Sequence, residues 1–213
     1  MKIEYPDKNL LSKTGNVDYF YWNYKFPIKY IQHYRFRRIV SLLGPVKYSN
    51  LLEAGTGSGI FLPELSLHCE NLYACDIHNH FDSIDNLLKH YNICNYELKS
   101  QSIEITDYPD NFFDAIVAVS VLEFVDNLQA AITEIKRILK KDGVFITICP
   151  MDSKFLDAVL SLYSDKKPDE EFGETRDHIG EALEQNFTVI IKGYMMPFIG
   201  KLFPVYTHYK LKY

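Results

Sequence analysis

The stretch Leu51–Gly59, reading LLEAGTGSG, constrains the fold of this chain more than any other. A short apolar run ends in an acid, Glu53. Glycines at alternate positions follow (Gly55, Gly57 and Gly59), and then a helix-like segment. The apolar run reads as a strand buried on both faces. The glycines let the backbone turn sharply and approach a ligand with no Cβ in the way. The helix beyond them would aim its free N–H groups at whatever lies over the loop. This spacing is not the G-x-G-x-x-G of a dinucleotide site, and the Glu53 carboxylate would repel a pyrophosphate. It suits a ligand that carries an ammonium group beside a sugar.

The rest of the chain repeats the strand-then-helix rhythm. A helical pattern over Ile28–Leu43 stops at Gly44-Pro45. After the glycine loop come a helix around Ile60–Leu67, a strand over Asn71–Ile77 ending in the acid Asp76, and a helix near Asp82–Tyr91. Strands are expected at Tyr96–Gln101 and Phe113–Ser120, then an amphipathic helix over Asn127–Leu139 closed by Asp142-Gly143, and a strand over Val144–Cys149. Strands alternating with helices predict a parallel sheet covered on both faces. After Pro150 the rhythm changes: helices at Phe155–Tyr163 and Ile179–Gln185 flank a polar linker, Asp165–Glu171. Strands at Phe187–Tyr194 and Val205–Tyr213 are joined by an apolar connector, Met195–Pro204, without a crossover helix, which predicts an antiparallel edge pair.

The 213 residues suit one domain. We divide it into an N-terminal cap and helix (1–47), a core (48–150), and a segment of helices and edge strands (151–213). No apolar run reaches the roughly 18 residues a membrane span needs, and MKIEYPDKNL lacks the apolar centre of a secretory signal. Cys69, Cys75, Cys94 and Cys149 form no C-x-x-C pair, so reduced thiols in a cytoplasmic protein are expected. Charge is uneven. Residues 1–49 carry a net +6 and residues 186–213 a net +4, which leaves the middle at −15 within a total of −5. The basic ends are also rich in aromatics. They read either as one face for an anionic or membrane-associated partner or as Lys and Arg stems covering apolar surface.

Over about Tyr48–Pro150 the chain resembles a class I S-adenosylmethionine-dependent methyltransferase of the small single-domain, type 11-like kind. The motifs fall in the family's order: EAGTGSG at Glu53–Gly59, YACD at Tyr73–Asp76, QSIEITDYPDNFFD at Gln101–Asp114, SVLEF at Ser120–Phe124, and ILKKDGV at Ile138–Val144. The resemblance implies a Rossmann-like, doubly wound α/β fold, with a mainly parallel seven-stranded sheet and an antiparallel last strand at its edge. It implies S-adenosylmethionine as cofactor, S-adenosylhomocysteine as product and no metal. Cofactor contacts would come from Glu53, Ala54, Gly55, Thr56, Gly57, Ser58, Gly59, Asp76, Ile77, Ser102, Ile103 and Ser120. Glu53 would orient the methionine end, and Asp76, about twenty residues past Gly55, would accept from the ribose diol. Tyr19, Tyr21, Trp22 and Tyr24 would close the acceptor side, where cation–π contact with the sulfonium is available.

Two positions depart from the family. Ser102 stands where an Asp usually binds the adenine amino group, and Phe124 where many relatives have His, so that candidate base is absent. Arg176-Asp177-His178 offers His178 as a base, against a plain cap or surface pair. His78-Asn79-His80 looks metal-like but has no further ligands, so a polar loop is the better reading. His33 and His208 read as packed histidines. The expected activity is methyl transfer to a small, partly apolar acceptor, or a lipid-like one met at a membrane. The alternative is a catalytically silent relative that binds a ligand or partner. Nothing suggests a nucleic-acid partner: there is no added binding domain and the body is acidic.

Overall fold

The computed structural model describes residues 3–15, 18–151, 175–195 and 205–213, with side chains of the 175–177 stretch excepted. In chain order these form α1 (Lys29–Leu43), β1 (Tyr48–Ala54), α2 (Leu62–Ser66), β2 (Cys69–Asp76), α3 (Phe81–His90), β3 (Tyr96–Ser100) and β4 (Phe113–Val119). They continue with α4 (Leu128–Ile138), β5 (Leu139–Pro150), α5 (Thr175–Asn186), β6 (Thr188–Tyr194) and β7 (Tyr206–Lys212). The expected helix at 155–163 and polar linker at 165–171, and all of the connector beyond Met195, lie outside the described residues.

The strands make one seven-stranded sheet in the order β3-β2-β1-β4-β5-β7-β6. β1 to β5 are mutually parallel, and β7 runs antiparallel to both β5 and β6. Alternation along β1 explains the two-faced burial. Leu51 points into a core layer shared with Phe36, Ile39, Phe61 and Ile84, and Leu52 into the opposite layer with Ile132, Ile135, Phe145 and Leu183. A strand sandwiched this way must be apolar on both sides.

Two expectations need correction. β7 is antiparallel but not the edge: it pairs with β5 from Val144↔Lys212 to Pro150↔Tyr206, and β6 takes the outer position. Burial sorts the two strands. Val205 to Tyr209 and Leu211 are buried, whereas Val189, Ile190 and Ile191 remain exposed. Asp142-Gly143 does not end a helix either. α4 stops at Ile138, and β5 begins at once, because Leu139 is fully buried and pairs with Phe113. The register slips between Phe113 and Ala115. Gly143 sits where a Cβ would come within 2.8 Å of Leu139 and 2.9 Å of the Lys140 carbonyl, so the irregularity needs glycine.

The N-terminal segment packs back on α1. Tyr5 stacks on His33 at 3.8 Å, and the Tyr24 hydroxyl donates to the Pro6 carbonyl at 2.5 Å. His208 is buried, accepts from Arg38 Nε at 2.9 Å, and is pushed down to about 4 by burial and then by the Arg38 charge. Both histidines are packed residues, as their surroundings in the sequence suggested. Cys69, Cys75 and Cys149 are buried free thiols and Cys94 is an exposed one.

Candidate cofactor and acceptor site

A cavity of about 680 Å³ opens at the C-terminal ends of β1, β2 and β4, where open α/β sheets bind ligands. Its far wall is the N-terminal segment and one side of α1. The glycine loop forms its floor. Gly55 N and Thr56 N donate to the Cys75 carbonyl at 2.8 and 3.3 Å, which ties the loop to β2. Gly55 has φ +71°, and a Cβ there would lie 2.3 Å from Val121 Cγ2, so no other residue fits.

Glu53 stands at the end of β1, 3% exposed, and accepts from Thr56 Oγ1 at 2.8 Å. Burial pushes its carboxyl up to about 8; the Thr56 hydrogen bond opposes this and the Asp76 charge adds to it. A cation set beside it would restore the carboxylate. Asp76 ends β2, and its Oδ2 accepts from Gly57 N at 2.8 Å. His78 latches this corner. His80 N–H donates to its Nδ1 at 3.1 Å, which assigns the proton to Nε2, 2.9 Å from the Gly57 carbonyl. His78 therefore spends both nitrogens on backbone. Among the described residues no group of three or more His, Cys, Asp or Glu is placed to hold a metal ion.

Of the residues expected from the sequence, Glu53, Gly55, Thr56, Gly57, Ser58 and Asp76 line the cavity together. So do Ile77, Ser102, Ile103, Ser120, Tyr19 and Trp22. Tyr19 and Trp22 stack at 4.2 Å. Ala54 and Gly59 do not line it: Ala54 packs in the core beneath, and Gly59 faces Ile84 and Leu62. Tyr21 sits edge-on behind Tyr19 and Trp22, and Tyr24 is the strut to Pro6. His178 is not brought to the cavity. α5 buries Ile179 and Leu183, which leaves His178 exposed.

Sequence reasoning missed several wall residues. Asp18 accepts from Thr14 N and Oγ1 and from Phe20 N at 3.0 to 3.1 Å, and this holds its carboxylate over Gly57. Burial and the facing Asp76 raise its pKa. Arg35 reaches in from α1. Its Nη1 donates to Ser120 Oγ at 2.6 Å, its Nη2 donates to Gln32, and its guanidinium lies 5.2 Å from the Tyr206 ring. Ser120 is held at φ +57°, with its N–H on the Ile148 carbonyl. Ser102 gives its hydroxyl to Glu104 at 2.9 Å, which sets a carboxylate beside it on the wall. No local pattern marks Asp18, Arg35 or Glu104, because each is placed by a contact distant in sequence or by a turn within a loop.

The wall's charge is one-sided. Asp18, Glu53, Asp76, Glu104, Glu123 and Asp126 line it, against Arg35 as its one Lys or Arg among the described residues. Ser58 Oγ, Asn23 Oδ1 and Arg35 Nε are buried without a partner among those residues, and all three belong to wall residues. The cavity is built for a polar, largely cationic ligand.

Fold and cavity define a doubly wound α/β domain with its cavity at the switch of strand order. The methyltransferase domain family matches residues 52–147, from β1 into β5. Over that span the chain is similar to a methyltransferase domain. No curated sequence gives a match. Among solved structures it is similar to the N-methyltransferase NodS of Bradyrhizobium japonicum WM9 in complex with S-adenosyl-L-homocysteine: 17% identity, TM-score 0.64, covering 92% of this chain and 93% of that one. It is similar to geranyl diphosphate methyltransferase in complex with GPP and sinefungin: 11% identity, TM-score 0.68, covering 95% and 87%. The [4+2]-cyclase SpnF matches too, with 13% identity and TM-score 0.66 over 83% and 78%. At these identities the likeness is one of fold. No helix among the described residues is long and apolar enough to cross a membrane.

Proposed function

We propose that the chain transfers a methyl group from S-adenosylmethionine to a small, partly apolar acceptor. The observation that carries this is the pairing of charges around the glycine loop. Glu53 suits the cofactor's α-ammonium, and Arg35, at Ser120 on the neighbouring strand end, suits its α-carboxylate. Asp76 takes the ribose diol. Ile77 and Ile103 flank the adenine, with Ser102 and Glu104 at its polar edge. A cavity with six acids and one arginine rejects a dinucleotide's phosphates and tolerates a sulfonium.

The bound cofactor supplies an activated methyl group. The chain's part is to hold the acceptor in line with it and to exclude water. Tyr19, Trp22 and Phe124 supply apolar wall for that purpose. We assign no base: His178 lies elsewhere, and an acceptor that is already nucleophilic needs none.

A second reading, binding or another reaction on the same fold, draws support from the fold likeness to a cyclase and from Ser102 and Phe124. Calorimetric titration separates the possibilities in two stages. S-adenosylmethionine and S-adenosylhomocysteine are expected to bind, and the absence of any heat at millimolar ligand defeats the proposal. Mass-spectrometric screening of amine, hydroxyl and carboxylate acceptors then tests turnover. Binding with no methylated product from any of them favours the second reading.

A further inference from the structure

Between Tyr19 and Leu52 the sequence holds six Lys or Arg and no acid. Most aromatic rings of this tract have structural work: Trp22 and Phe36 are buried, and Tyr24 anchors Pro6. Phe26 and Tyr30 have none. They are 72% and 57% exposed, belong to neither core layer, and meet edge to face at 6.0 Å where the chain turns into α1. Lys29 lies 5.5 Å from the Tyr30 ring, exposed Lys25 precedes Phe26, and exposed Arg37 follows Tyr30 two turns along the helix.

We propose that this corner, Phe26 and Tyr30 with Lys25, Lys29 and Arg37, docks the chain on an anionic lipid surface. Protruding aromatic rings settle at headgroup depth, and the cations around them meet anionic headgroups. Two exposed rings need no pocket to enter an interface. Charge also orients the molecule. The −15 middle of the chain is repelled by such a surface, so the basic ends must face it. The fold gathers those ends: Lys210 of β7 donates to the Leu42 carbonyl of α1 at 2.7 Å, and Arg38 donates to His208. The segments either side of the corner supply Asn23, Gln32 and Arg35 to the cavity wall.

This inference stands apart from the methyl-transfer reading and is tested without it. The full chain is floated with phosphatidylcholine vesicles, with and without phosphatidylserine. Binding is expected only with phosphatidylserine, weakening as salt rises. Phe26→Ser/Tyr30→Ser and Lys29→Glu/Arg37→Glu should each reduce it by at least about tenfold. Unchanged melting temperature and circular-dichroism spectrum in both variants show that the fold survives. Equal binding to both vesicles, binding to neither, or full binding by the Phe26→Ser/Tyr30→Ser variant overturns the proposal.

Discussion

Single residues at this site carry a cost in stability. Glu53 shows it most directly. Its carboxyl is raised from the ordinary 4.5 to about 8, so burial costs the folded state whenever the group must ionise. With the folded value above the unfolded one, its contribution is intact below about pH 4.5 and is lost as pH climbs through 8. Glu53→Gln removes that dependence. The ligand-free variant should melt higher than the parent at pH 8 to 9 and similarly at pH 5, while its cofactor affinity falls; thermal melts across pH give the answer. Asp76→Ala removes the acceptor we propose for the ribose and also frees Gly57 N–H. About a ten- to hundredfold loss in S-adenosylhomocysteine affinity is expected by calorimetry. Gly55→Ala meets Val121 at 2.3 Å and is strained at φ +71°, for a cost of roughly 2 to 4 kcal/mol in urea unfolding. Trimming the neighbour in Gly55→Ala/Val121→Ala should recover only part, since space returns but the dihedral strain stays.

At the level of elements, β5 anchors the sheet behind the site and the N-terminal segment walls it. β5 pairs with β4 and β7, and its Phe145 is fully buried between α4 and α5. Phe145→Ala should cost about 3 to 5 kcal/mol, read from denaturant unfolding. The N-terminal wall hangs on fewer contacts. Tyr24→Phe deletes the bond to Pro6, and about 1 kcal/mol of local stability with it. Faster amide exchange of residues 5–24, with the sheet unchanged, is the expected sign. The helices and inner strands were legible in the sequence because burial imposes a period that can be read locally. Where elements end was less so. Leu139 followed helical spacing into α4, but its pairing with Phe113 made it the first residue of β5.

Across the whole molecule, the sequence by itself determined the class of the domain. Its signals are local: a strand that must be apolar on both faces, a loop with Gly55, Gly57 and Gly59 at alternate positions, and acids near the ends of β1 and β2. Each is written in a few adjacent residues and survives without knowledge of the rest. The completed cavity is different. Arg35 meets Ser120 across 85 positions, and Asp18 comes to rest over Gly57 from a segment with no motif. The order of β6 and β7 likewise depends on which strand buries more surface against β5, a comparison between elements rather than a pattern within one. The gathering of both basic ends beside α1 belongs with these. Charge counts place the cations along the chain, but only packing sets Lys210 on Leu42 and leaves Phe26 and Tyr30 in solvent. Period and composition act through neighbours in sequence, whereas these contacts exist only once the sheet has closed.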